Sequence, residues 1–334
     1  MMYSVGYSLI AEQQFNEAIY SFKDHIAEIY FSWPGMKSGR ANIVYNDEDY
    51  QQKVIKLLDD LSRYADMGIP LAMLFNANCY GGEAISKQLE KLVIETIEFV
   101  QNKVACLKAV ITASPFIASK IKLHFSDIQI RASVNMRINS TFAMDYLSDR
   151  FDFFYVAKEL NRDIVALKNL KAWATAHGKQ IGILVNSGCL NNCPNQTFHD
   201  NLVAHESEIK NYDTSYYQPV LCRKFIAKQN NWHFLIEGSN WIRPEDITEY
   251  QEIFQTVKLA TRMHSNPFMV IGAYSHGAHY GNILDLMEPG FSGILHPYIL
   301  DNSKFPKKWS SGGANLKEDS SSLLEKVLIK HQLL

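Results

Sequence analysis

Five cysteines occur in this chain, and four of them fall where a soft metal site could form. Cys79 stands in Phe-Asn-Ala-Asn-Cys-Tyr-Gly-Gly. Cys189 and Cys193 share Val-Asn-Ser-Gly-Cys-Leu-Asn-Asn-Cys-Pro, and Cys222 lies in Pro-Val-Leu-Cys-Arg. Four thiolates suit either zinc or an iron–sulfur cluster. Structural zinc sites favour close Cys-x-x-Cys knuckles, whereas the one close pair here, Cys189 and Cys193, has three intervening residues. Spacing therefore tilts toward a cluster and leaves zinc open. A radical-SAM arrangement is excluded, because the place of its third cysteine is Gln196. Cys106, in Ala-Cys-Leu-Lys-Ala-Val-Ile, reads as a small buried apolar residue.

Other candidates cluster near the same segments. His199 and His205 follow the cysteine pair. Their spacing keeps them off a common helical face, so each is open as a ligand, a proton donor or a polar helix residue. We take His199 as a catalytic candidate and His205 as a substrate contact. Glu159 is a candidate base or arginine partner. Lys258 and Arg262 are candidate anion-binding or guanidinium-clamp groups. Asn135 and Arg137 are candidate substrate contacts. His276 and His279, in Ser-His-Gly-Ala-His-Tyr, read as polar residues of a helix or loop.

These residues must be positioned by an alternation of strand and helix. Short apolar runs predict strands at Ser4–Tyr7, Glu28–Phe31, Pro70–Phe75, Cys106–Ile111, Ile128–Ala132, Phe153–Val156, Ile181–Val185 and Val257–Leu259. They lack polar alternation, as strands covered on both faces do. Apolar residues at helical spacing predict helices over Asp47–Tyr64, Glu83–Val100 and Asp163–Thr175. The pattern predicts an α/β fold, a (β/α)8 TIM-type barrel with an irregular insertion after the seventh strand. A doubly wound open sheet is the runner-up, weakened by the lack of a GxGxxG fingerprint after any strand. In a barrel the loops carrying Cys79 and the Cys189/Cys193 pair open on the carboxyl face, and Cys106 lies at the opposite end. The insertion, 189–240, contains Cys222 and an extra strand expected at Trp232–Ile236. The barrel is expected over 1–287, with a carboxyl-terminal extension over 288–334 packed on it. Within that extension, Ser310–Asn315 reads as a mobile loop and Ser321–His331 as a final helix.

With 334 residues and a formal net charge of −2, the chain has material for a large core but no basic stripe for nucleic acid. The richest basic run, Lys304 to Trp309, reads as a solvated loop. No segment is long and apolar enough for a membrane span, and the first residues lack the positive flank of a signal peptide. A cytoplasmic location is expected. Thiols stay reduced there, so structural disulfides are not.

Several segments together resemble the collagenase-like peptidase family, family thirty-two of the peptidases of unknown mechanism. Ile130-Arg-Ala-Ser-Val-Asn resembles its strand ending in a short Ser/Thr-rich stretch, Ala157-Lys-Glu-Leu-Asn-Arg-Asp-Ile its Arg-Glu-Leu-Ser element after the sixth strand, and Val257-Lys-Leu-Ala-Thr-Arg its Phe-Lys-Ile-x-Gly-Arg element of the last strand. Trp241-Ile-Arg-Pro-Glu-Asp-Ile, Asn76-Ala-Asn-Cys, Asn186-Ser-Gly-Cys-Leu-Asn-Asn-Cys-Pro and Tyr280-Gly-Asn-Ile-Leu-Asp-Leu are similar to one branch of it. That branch carries iron–sulfur clusters and is related to the oxygen-independent hydroxylation proteins of ubiquinone biosynthesis. The likeness runs in order from Met1 to Met287, with departures at Thr261, where the family has Gly, and Lys158, where it has Arg.

The resemblance implies a [4Fe–4S] cluster on Cys79, Cys189, Cys193 and Cys222. It implies a redox enzyme for oxygen-independent hydroxylation, in which prephenate serves such relatives as oxygen donor. The near-neutral charge argues for a small-molecule or carrier-bound substrate rather than RNA. The alternative is a cluster-bearing partner subunit that works with a homologous chain as a heterodimer. A peptidase is the weakest reading. The residues offer neither a defensible Ser/His/Asp or Cys/His arrangement nor a His-Glu-x-x-His motif.

Overall fold

The computed structural model describes residues 1–8, 10–40, 47–209, 220–312 and 320–330. Eight strands form one sheet: β1 (Met2–Gly6), β2 (Ile26–Ser32), β3 (Leu71–Phe75), β4 (Leu107–Thr112), β5 (Gln129–Ala132), β6 (Phe153–Tyr155), β7 (Gln180–Gly182) and β8 (Thr256–Leu259). The order is β7-β6-β5-β4-β3-β2-β1-β8, and every pairing is parallel. The seam closes just beyond β7. The Lys258 amide donates to the Ile183 carbonyl at 2.9 Å, and the Val185 amide to the Lys258 carbonyl at 3.0 Å. The fold is therefore a (β/α)8 barrel, and the open-sheet alternative falls. All eight expected strands are present, with no end moved by more than three residues.

The strands are apolar because both faces are covered. All five residues of β3 are buried. The helices are α1 (Glu12–Ser21), α2 (Asp47–Asp66), α3 (Lys87–Lys103), α4 (Pro115–His124), α5 (Thr141–Tyr146), α6 (Ile164–Ala176), α7 (Gln196–Ala204), α8 (Leu221–Ile226), α9 (Phe234–Glu237), α10 (Pro267–His276), α11 (Ser292–Leu295) and α12 (Ser320–Val327). Several begin at side chains that satisfy an orphan amide. Ser86 accepts from Leu89, Ser114 from Ile117, Asp163 from Ala166 and Asn266 from Met269.

Four local expectations need correction. Trp232–Ile236 is not a strand but a turn running into α9. Its amides bond locally, Leu235 to the Trp232 carbonyl and Ile236 to that of His233, so the apolar run packs as a short helix. Ser310 is buried rather than in a mobile loop, because its hydroxyl accepts from the Arg243 amide and its carbonyl from the Tyr250 hydroxyl. Positions 313–315 lie outside the described residues. The last helix stops at Val327, where Leu328–Lys330 becomes β10 and pairs antiparallel with β9 (Tyr298–Leu300). His331 lies outside the described residues. Cys106 is half-buried, its thiol 3.8 Å from the Ala65 carbonyl, at the amino end of β4.

The Trp-Ile-Arg-Pro-Glu-Asp segment is a clamp for residues 302–310. Trp241 packs on Phe305 and Trp309. Arg243 donates to Asn302 and to the Pro306 carbonyl, and Asp246 accepts from the Lys308 and Ser310 amides.

Candidate functional site

Two polar tethers hold the loop of the cysteine pair. Asn186, fully buried, donates to the Ala260 and Leu286 carbonyls and accepts from the Ala260 amide at 2.6 Å. Its side chain thus adds one rung to the β7–β8 seam. Gly188 then lies against the chain at Pro289, where an added Cβ would stand 1.9 Å from the Pro289 carbonyl oxygen. Only glycine fits there. Past that contact, the Cys189 carbonyl accepts from Asn240 at 2.6 Å.

Cys222 stands on α8, which Arg223 ties to the Gly290 carbonyl at 3.0 Å, one residue past the Pro289 contact of Gly188. Burial pushes the Cys222 thiol up, and the neighbouring Cys189 and Cys193 raise it further. Cys222 thus stands within electrostatic reach of the Cys189/Cys193 segment.

Cys79 follows β3 and has different company. His205 holds its thiol below the usual range by hydrogen bonding, helped by the Gly81 amide at 3.3 Å. His205 Nδ1 lies 2.6 Å from Glu208 Oε2 and 3.0 Å from Lys37 Nζ. Glu208, ahead of the Cys79 contact, raises the imidazole. Lys37 and Glu208 are themselves paired. Beside this line lies a cavity of ≈ 330 Å³ walled by Lys37, Tyr80, Gly81, Leu89 and Glu208 among others.

Among the described residues, Glu28, Arg131 and Lys258 stand on barrel strands, Arg262 follows β8, and Arg40 and Glu288 lie on loops beyond the strands. Glu28 on β2 accepts from Ser4 on β1 and pairs with Arg131 on β5 at 2.7 Å. Arg40 pairs with Glu288 at 2.9 Å. Lys258 is 7% exposed and lies 3.8 Å from the Tyr30 ring centre and 4.6 Å from that of Tyr155. Burial pushes its amine down to about 7, against an opposing pull from Glu28. Arg262 is 4% exposed and donates through one nitrogen to the hydroxyls of Ser32 and Ser38, each at 2.9 Å. Its Nε has no hydrogen-bond partner among the described residues. Burial lowers its pKa to about 10.

The remaining candidates are placed as follows. Asn135 donates to the Asn76 carbonyl at 3.1 Å, and Asn76 accepts from the Gly39 amide, so Asn135 props the loop bearing Arg40. Arg137, in the left-handed region, donates to Thr197 and pairs with Asp200 at 2.9 Å. Asp200 also accepts from Asn78, so α7 is tied to the loops after β3 and β5. Glu159 sits in a turn 3.6 Å from Lys158. His199 is half-buried on α7. His276 lies edge-on to Phe22, ahead of β2 and so at the amino end of the barrel. His279 bonds the Asn282 carbonyl.

Sequence reasoning missed Lys37, Glu208, Glu28, Arg131, Arg40 and Glu288. For Glu28 and Arg131 a signal existed: a charge inside a strand covered on both faces needs an interior partner. The others carry no signal that spacing could supply.

The donors can be tested against a metal group on their own terms. Cys189, Cys193 and Cys222 fit a soft metal by type. Cys79 is engaged with His205. Among the described residues no three His, Cys, Asp or Glu side chains are grouped closely enough to hold an ion as they stand.

No family model matches the chain. It is 24% identical over 283 residues to an uncharacterized protease of Methanocaldococcus jannaschii, covering 82% of this chain and 79% of that one. Its fold is similar to the solved U32 peptidase Mk0906, with a TM-score of 0.54, 13% identity, and coverage of 78% and 92% of the two chains. The first likeness is to a protein named a protease and supports the collagenase-like resemblance; the second shows the fold. They do not bear on the iron–sulfur branch. No described helix is long and apolar enough to cross a membrane.

Proposed function

We propose that this chain is a cytoplasmic iron–sulfur-dependent barrel enzyme that modifies a small or carrier-bound substrate, by oxygen-independent hydroxylation or a related redox step. Cys189, Cys193 and Cys222 would hold a [4Fe–4S] cluster, with Cys79 as fourth ligand. The observation that carries the reading is the shared anchor of the two cysteine segments: Gly188 lies against Pro289 and Arg223 bonds the Gly290 carbonyl, with Cys189 and Cys193 in electrostatic reach of Cys222. A cluster would supply one-electron transfer at the barrel mouth. The chain's own residues do the rest. Asn186 and Gly188 fix the ligand loop, Arg262 and Lys258 present positive charge beneath it, and Glu159 and His199 are the proton-handling candidates. A homologous partner subunit is compatible with this arrangement.

The test is anaerobic purification with iron and sulfide determination, on the native chain and on Cys222→Ser and Cys106→Ser. Cys222→Ser is expected to lose iron and Cys106→Ser to keep it.

One observation favours a second reading, a thiol peptidase. Cys79, His205 and Glu208 lie in hydrogen-bonded succession beside a cavity, the order in which a nucleophile, a base and an orienting carboxylate are arranged. Hydrolysis of a peptide library by the metal-free protein, abolished in Cys79→Ala but intact in Cys222→Ser, would establish that reading over the first.

A further inference from the structure

The cavity near Cys79 is walled unevenly. Met36 and Leu89 give it a buried apolar side, and Leu92 of α3, 46% exposed, is an apolar side chain at its open edge. The charges of its wall are Lys37, Glu83 and Glu208. Lys37 and Glu208 are paired with each other, and both lie against His205. Glu83 accepts from the Ser86 hydroxyl. The wall therefore carries one acid more than it has cations. At ≈ 330 Å³ the cavity stands near the lower end of the roughly 300–1,000 Å³ usual for ligand sites. It has room for one large aliphatic side chain and the backbone that bears it.

Gly81 joins this cavity to the thiol. It lines the wall, and its amide donates to Cys79 Sγ at 3.3 Å. Its φ of +61° lies in the left-handed region, and an added Cβ would stand 3.3 Å from His205 Cε1. One glycine thus separates the cavity from the Cys79–His205 pair. A side chain seated between Met36 and Leu92 would bring its own backbone to that glycine, beside the thiol.

We propose that the cavity receives one uncharged aliphatic side chain, of leucine or methionine size, from a peptide whose backbone then runs past Cys79. Removal of apolar surface from water draws such a side chain in, and the unmatched carboxylate turns an acidic one away. The inference deepens the thiol-peptidase reading and rests on it for the peptide, while the binding itself needs neither metal nor hydrolysis.

Two measurements on the full chain test this. Blocked alanine peptides with a central leucine, glutamate or lysine are titrated into the protein, with binding read by saturation-transfer NMR, and their hydrolysis is followed by mass spectrometry. The native chain should bind the leucine peptide at least about tenfold more tightly than either charged one, the discrimination that one apolar contact supplies. Leu92→Arg should move the preference to glutamate and Leu92→Glu to lysine, with circular dichroism as the check on folding. A leucine with a merely structural role would not redirect the preference in opposite senses. Equal affinity for the three peptides, or folded Leu92 variants that keep the native preference, would overturn the proposal. Selective binding without hydrolysis would uphold the cavity and contradict the peptidase reading. Hydrolysis of all three peptides alike would uphold the peptidase reading and overturn the cavity.

Discussion

Asn186 bonds Ala260 through both ends of its carboxamide, donating to the carbonyl at 2.9 Å and accepting from the amide at 2.6 Å. The side chain does the work of one more strand residue, three positions before Cys189. Asn186→Ala would leave the Ala260 amide and carbonyl and the Leu286 carbonyl without partners in the interior. We expect a loss of about 3 kcal/mol in urea denaturation, since each unsatisfied buried group costs about 1–3 kcal/mol. Asn186→Asp, which cannot donate, should fare no better.

Gly188→Ala tests the next link. The added methyl meets a backbone oxygen, which cannot swing aside as a side chain does. Cys189 must move relative to the Glu288–Gly290 segment that also anchors α8. The expected outcome is a folded protein, by circular dichroism, with iron content well below that of the native chain. Gly82→Ala, where an added Cβ meets nothing within 4 Å, is the control and should change nothing.

The barrel was legible because its strands are covered on both faces, so runs such as Leu71–Phe75 show as unbroken apolar residues. The cysteine loops followed, since each begins where a strand ends. The short helices of the insertion were not legible. Trp232–Ile236 is apolar and strand-like in composition, yet its amides find carbonyls within one turn. Nor could sequence show that His205 would bind Glu208 and Cys79, because that contact depends on how α7 is tied down by Asp200. The Trp-Ile-Arg-Pro-Glu-Asp segment marked a family likeness, and the structure gives it a structural task.

Lys258 makes a pH prediction whose sign is fixed. Its amine titrates near 7 in the fold, against an ordinary 10.5. Between those values the unfolded chain binds more protons, so stability gains from this group as pH rises. At pH 7 the cost of burying it is nearly full, and by pH 9 much of it is gone. Relative to Lys258→Met, the native chain should therefore gain about 2 kcal/mol between pH 7 and pH 9. Urea denaturation of both proteins across that window measures it. A constant difference would mean that Lys258 stays charged in the fold.

The cluster itself is the central claim. Protein purified without oxygen should be brown, with about four irons and as many sulfides per chain and broad absorption near ~400 nm. Cys189→Ser, Cys193→Ser and Cys222→Ser should each lose most of that iron, and Cys106→Ser should keep it. A colourless protein carrying one zinc, or iron lost equally from Cys106→Ser and Cys222→Ser, would contradict the account.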